Sequence, residues 1–246
     1  MLGTDHRGPM GAAGGIDLPR VARAFRERVL PCGVETVNRL EEAVLAKLAE
    51  VRALEAIPEE RFAAAFRSAM EGVVSARSRS GAIARDSRPA EVREILRGTR
   101  VGEFLPIDLP TLADRLAGAP REVRLDVTSE LMHAAAPDRI ALLSRWVWNP
   151  ARRTGILGEF GGPPPETYAG TQARLAEVRL ALDALGFPSA TFAAVDVLLA
   201  LTYAGRLGEA VDRSFQGGGI ERLLPGAFPL ATMVLGVRRR LLDADR

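Results

Sequence analysis

Lysine is nearly missing from this chain: of the 33 basic residues among 246, Lys47 is the only one that is not arginine. Such a bias follows from a GC-rich genome before it points to a ligand, and with a net charge of +2 it demands neither nucleic acid nor a membrane surface. Aromatic residues are scarce at 5%. A core built without them must be aliphatic and alanine-rich, which favours closely packed helices over a sheet sandwich. Cysteine occurs once, at Cys32. One thiol excludes an intrachain disulfide and a cysteine-based metal cluster, and it suits a reducing, cytoplasmic setting. Histidine occurs only at His6 and His133, so a histidine-rich metal site is excluded as well. No GxSxG, P-loop or GxGxxG pattern is present, and neither a metal nor a cofactor is expected. No apolar stretch is long and uninterrupted enough for a membrane span. The glycine-rich residues 1–15 lack the basic start and apolar run of a secretion signal and are expected to be a disordered tail.

What is present is helical periodicity. Val37, Leu40, Val44, Leu48, Val51 and Leu54 recur at helical spacing, and after Pro58 a second stripe runs through Phe62, Ala65, Phe66, Ala69, Met70, Val73 and Val74. The short break between them predicts an antiparallel helical hairpin. Asp17 and Pro19 open a helix before these. Pro89 starts another that Gly98 is expected to stop. Residues 121–136 read as a helix, and Tyr168, Thr171, Leu175, Val178, Leu182 and Leu185 form a seam of alternating threes and fours. The segment after Ser189 is apolar nearly all round, with Asp196 its single charge, so that carboxylate either pairs with an arginine or marks a pocket.

The stretch 129–160 joins these blocks and holds both tryptophans. Asn149, Pro150 and Gly155 are turn residues, which predicts a small β-hairpin near residues 143–158. Period two places Trp146 and Trp148 on one face, as an aromatic plug over the core or as a stacking platform. The expected fold is mainly α: a multi-helix bundle of about nine helices with that one hairpin. Its parts are the tail (1–15), a helical block (16–157), a Gly/Pro linker (158–165) and a second helical block (166–246) that shares the core of the first.

Three functional readings follow. The favoured one is a non-catalytic helical binding or accessory protein, acting through an assembly surface on a protein partner or a second copy of itself. An alternative is nucleic-acid binding through arginine-rich loops, with Arg77, Arg79 and Arg85 in the Ser75–Arg88 segment and Arg145, Arg152 and Arg153 near the tryptophans, where guanidinium groups and indoles could hold phosphates and bases. The third is an enzyme with a pocket near His133 and Trp146. His133 shares a helix face with Glu130, three residues earlier, and Asp126, which suits a polarised base as well as it suits a solvated face; Asp196 is the other acid candidate.

Overall fold

A computed structural model of the chain describes residues 15–187, 189–214, 227–238 and 240–241. The tail through residue 14 with His6, the Gly217–Gly219 break, Arg239 and the last five residues lie outside the described residues. Among those described there are ten α-helices and no strand. They are α1 (Leu18–Ala24), α2 (Val34–Ala53), α3 (Glu59–Met70), α4 (Ser80–Asp86), α5 (Pro89–Val101), α6 (Leu109–Ala113), α7 (Arg121–Ala135), α8 (Tyr168–Ala184), α9 (Ala193–Ser214) and α10 (Ala227–Leu235).

Local chemistry sets most of the boundaries. The Asp17 carboxylate accepts the Arg20 N–H, and Pro19 sits in the first turn of α1, where a missing N–H costs nothing. The amphipathic stripes lie on α2 and α3, with Leu40, Leu48, Val51, Phe62 and Phe66 buried, but α3 ends at Met70, so Val73 and Val74 fall in the turn after it and Val74 is exposed. Gly98 does not stop α5, which runs to Val101 and ends on Gly102 at φ +86. Gly98 is there for a close approach: a Cβ on it would lie 2.5 Å from the Phe104 ring. The Ser75–Arg88 segment is turns followed by α4. The final apolar helix breaks at Gly236 (φ +72), whose backbone packs directly on Gly72.

One hydrophobic core gathers side chains from nearly every helix, Val21, Leu40, Phe66, Ile95, Leu131, Val178, Val195 and Leu235 among them. α7 runs through its middle. Every residue from Asp126 to Ala135 is buried, so this helix has no solvent face over its last three turns. Residues 158–165 are tied down on several sides: Asp17 N–H donates to Phe160 O at 2.8 Å, the buried Arg174 donates to Gly161 O and Pro163 O, and the Trp148 indole donates to Pro165 O at 2.8 Å.

The predicted β-hairpin is not formed. A single antiparallel bridge joins Asn149 to Thr154, and the flanking residues make turns and a 3-10 helix at Ile156–Phe160. The reason lies in competing partners for the backbone. Leu143 N–H donates to Ser129 Oγ at 2.7 Å, Ala141 N–H to Gln172 Oε1 at 2.8 Å and Arg145 N–H to Asp126 Oδ1 at 3.0 Å. Gln172 returns a bond to Arg139 O at 2.9 Å. Within the predicted hairpin, α7 side chains thus take the Leu143 and Arg145 N–H groups, and the second arm reaches the first only through Asn149–Thr154, Ile156 N–H to Trp146 O and Leu157 N–H to Val147 O. Residues 144–148 then turn helically, with Val147 and Trp148 N–H both donating to Ser144 O. Period two is lost, and the tryptophans part. Trp148 and Val147 enter the core, while Trp146 stays half-buried, edge-on to Tyr203 at 5.9 Å.

No helix among the described residues is long and apolar enough to cross a membrane.

Candidate functional site

Because α7 is surrounded on all sides from Asp126 onward, its polar residues there must find partners inside the protein. Three do so as charged contacts. Asp126 accepts from Arg145 Nε at 3.1 Å and Nη2 at 2.8 Å, from the Arg145 backbone, and from Ser75 Oγ at 2.7 Å. One turn on, Glu130 Oε1 lies 2.6 Å from Lys47 Nζ, in an ion pair whose side chains are only 4% and 5% exposed. The carboxylate approaches off the hydrogen-bonding direction, and the ammonium donates instead to Leu235 O, at 2.9 Å, on the last turn of α10. Farther along, His133 is 1% exposed. Its Nδ1 faces Ile140 O at 2.6 Å and its Nε2 faces Asp196 Oδ2 at 2.8 Å.

Both imidazole nitrogens therefore meet acceptors, an arrangement satisfied fully only when each carries a hydrogen. Burial opposes that charge. The Asp196 carboxylate, its hydrogen bond, the Ile140 carbonyl and Glu130 together outweigh it, so the His133 pKa is raised above the ordinary histidine value. The solvated-face reading of His133 and Glu130 is thereby corrected, and the partner of Asp196 is this histidine, not an arginine.

A cleft of about 270 Å³ opens beside the first two contacts. Six parts of the chain supply its walls: Lys47 from α2, Gly72 to Ser75 after α3, Asp126 and Glu130 from α7, Leu142 and Ser144 to Trp146 from the connector, Tyr203 from α9 and Val234 from α10. Val74, more than half exposed, stands at the rim. The Ser144 hydroxyl is buried without a hydrogen-bond partner among the described residues. A second cleft, about 470 Å³, lies on the other side of Arg145 and includes Arg121, Asn149, Arg152 and Tyr168, whose phenol burial pushes up in pKa.

The residues singled out from the sequence are thus dispersed. Glu130, Arg145 and Trp146 meet at the first cleft, and Arg145 and Arg152 at the second. His133 and Asp196 pair behind the first cleft and do not line it. Trp148 is a core residue, and Arg153 is exposed in an ion pair with Glu166 at 2.6 Å. Arg77, Arg79 and Arg85 are exposed on and before α4, with Arg77 bonded to Glu71 O. Among the described residues no group of His, Cys, Asp and Glu is arranged to hold a metal ion.

The residue that sequence reasoning passed over is Lys47. Its signal was there: the chain's one lysine sits seven residues after Leu40 and four before Val51, on the apolar stripe of α2. Here a compact ammonium donates to Leu235 O while standing 2.6 Å from the Glu130 carboxylate, and a guanidinium in its place is larger and planar. Ser144 gave no such signal. Comparison of the chain with protein-family models, with curated proteins and with solved structures gives no match.

Proposed function

We propose that this chain is a non-catalytic helical binding protein whose binding element is the cleft beneath Trp146. One observation carries the reading: a buried ion pair, Lys47 with Glu130, and a buried Ser144 hydroxyl with no hydrogen-bond partner among the described residues stand at the wall of a cleft of about 270 Å³. For stability alone that is a poor arrangement. Well-packed apolar residues in place of a buried pair are often as stable or more so. The candidate acid and base groups favour binding over catalysis. Asp126 is held by Arg145 and Ser75, Glu130 is charge-paired with Lys47, and His133 is held by Asp196, so each candidate acid or base is already engaged with a counter-charge. Native mass spectrometry of the protein purified from its own host tests the proposal. A small-molecule mass that leaves on denaturation is expected, and a bare chain would count against the cleft.

A second binding element, an assembly surface for a partner or a second copy, is favoured by Val101, Leu105 and Ile107. All three are more than half exposed within seven residues. Sedimentation of a Leu105→Glu/Ile107→Glu variant tests it, the expected outcome being loss of association. The nucleic-acid reading has less support, because Arg145, Arg153 and Arg240 are paired with Asp126, Glu166 and Glu50. Binding to a polyanion that weakens steeply with salt would restore it. A reducing, cytoplasmic setting is part of the proposal, since Cys32 is the only cysteine and burial pushes its thiol pKa up.

A further inference from the structure

We infer that the cleft beneath Trp146 takes a small, net-neutral molecule with an apolar body and an amide-like head, one that accepts and donates hydrogen bonds side by side. This rests on the binding function proposed above and adds the ligand's chemistry.

Charge comes first. Four ionised groups line the cleft, and they cancel in pairs: Lys47 against Glu130, Arg145 against Asp126. An anion or cation entering would lose its hydration and find every counter-charge already engaged, a steep cost in a low-dielectric site. A neutral molecule meets no such barrier.

Hydrogen-bonding capacity comes second. The Lys47 ammonium has three N–H groups. Leu235 O accepts one, and no other described residue accepts a hydrogen bond from the ammonium, Glu130 facing it as an ion-pair partner off the hydrogen-bonding direction. Glu130 Oε1 is buried and accepts no hydrogen bond from any described residue, so it retains acceptor capacity. Ser144 adds a hydroxyl able to serve either way. A neighbouring carbonyl and N–H on the ligand answer the ammonium and the carboxylate together.

Shape comes third. Val73, Leu142, Trp146, Tyr203 and Val234 make the remaining wall apolar and partly aromatic. The cavity of about 270 Å³ equals the liquid share of about nine waters, so the occupant has on the order of ten non-hydrogen atoms.

Benzamide, benzoate and benzamidine share that size and one ring shape and differ in charge at the head, and toluene lacks the head altogether. The chain has two tryptophans, so ¹⁵N-labelled protein gives two indole signals, assigned with Trp146→Phe and Trp148→Phe variants. In a titration, benzamide is expected to move the Trp146 signal and leave that of Trp148 in place, with a Kd at least about ten-fold below those of benzoate and benzamidine. Val234→Phe, which fills the cleft, abolishes the shift. Lys47→Met/Glu130→Leu, which exchanges the ion pair for apolar side chains, weakens benzamide about ten-fold and leaves toluene unaffected. A preference for benzoate or benzamidine overturns the neutral-ligand inference while the binding proposal stands. Equal binding of toluene and benzamide overturns the amide-like head alone. Failure of every probe to move the Trp146 signal at millimolar concentration overturns the inference, and a bare mass from the host protein extends that failure to the binding proposal itself.

Discussion

Lys47→Met isolates the feature on which the cleft depends. Methionine has nearly the reach of lysine and fills the same space along α2, so the change removes the ammonium with little change in packing. The Glu130 carboxylate, only 4% exposed, then loses its counter-ion, and Leu235 O at the end of α10 loses its donor. Removing one member of a buried ion pair costs about 3 to 5 kcal/mol. For a domain of this length each kcal/mol moves the melting temperature by roughly 2 to 4 °C, so a fall on the order of 10 °C is expected. Part of the loss should be recovered on acidification, because an unpaired buried carboxylate has a raised pKa and is relieved by protonation. Lys47→Met/Glu130→Leu should return to within about 1 kcal/mol of wild type or exceed it, since the apolar exchange removes both desolvation penalties. Urea melts followed by far-ultraviolet circular dichroism measure all three proteins. A single variant within about 1 kcal/mol of wild type, or a double variant no more stable than the single, would refute the buried-pair argument.

Trp148→Ala should cost about 3 to 5 kcal/mol, as expected for a large buried aromatic, with its bond to Pro165 O lost as well, whereas Trp146→Ala at the half-buried cleft wall should cost about 1 to 2 kcal/mol; urea midpoints that rank them the other way would overturn this assignment of core and cleft. His133 has a raised folded pKa, so its stabilisation is complete below the unfolded value of about 6.5 and declines as pH rises through the folded value. Stability measured across the alkaline side should therefore fall more steeply in wild type than in His133→Leu/Asp196→Leu, and equal slopes would place the charge elsewhere. Gly72→Ala puts a Cβ 2.7 Å from Gly236 O, so it should loosen α10 and destabilise by about 1 to 3 kcal/mol; unchanged resistance of α10 to limited proteolysis would show that the contact yields.

Much of the fold was legible because most helices bury one stripe and expose the rest. α8 follows its apolar spacing to within a residue at each end, and α2 and α3 lie under theirs, α3 stopping at Met70 before Val73. Gly98 was misread because a glycine inside a helix and one that ends a helix look alike in sequence. Only the Phe104 ring against it tells them apart. The connector after α7 was misread for a different reason. Val147 and the two tryptophans have strand propensity, but propensity says nothing about who binds the backbone, and here Ser129, Asp126 and Gln172 do.

The same circumstance hid the site. A helix with polar residues at 126, 129, 130 and 133 presents one polar face, and a polar face reads as solvated in every periodicity argument. Whether that face meets water or meets Lys47, Arg145 and Asp196 depends on elements 19 to 83 residues away in sequence, which no window along the chain contains. What the window does contain is the complementary anomaly on the partner: a charge on an apolar stripe. Lys47 on α2 and Asp196 on α9 are both charges of this kind, and both turn out to answer a residue of α7. Read together, two buried charges of opposite sign on separate apolar helices imply a third element carrying their counter-charges between them. The polar face of α7, with Glu130 and His133 one turn apart, is the segment that supplies both.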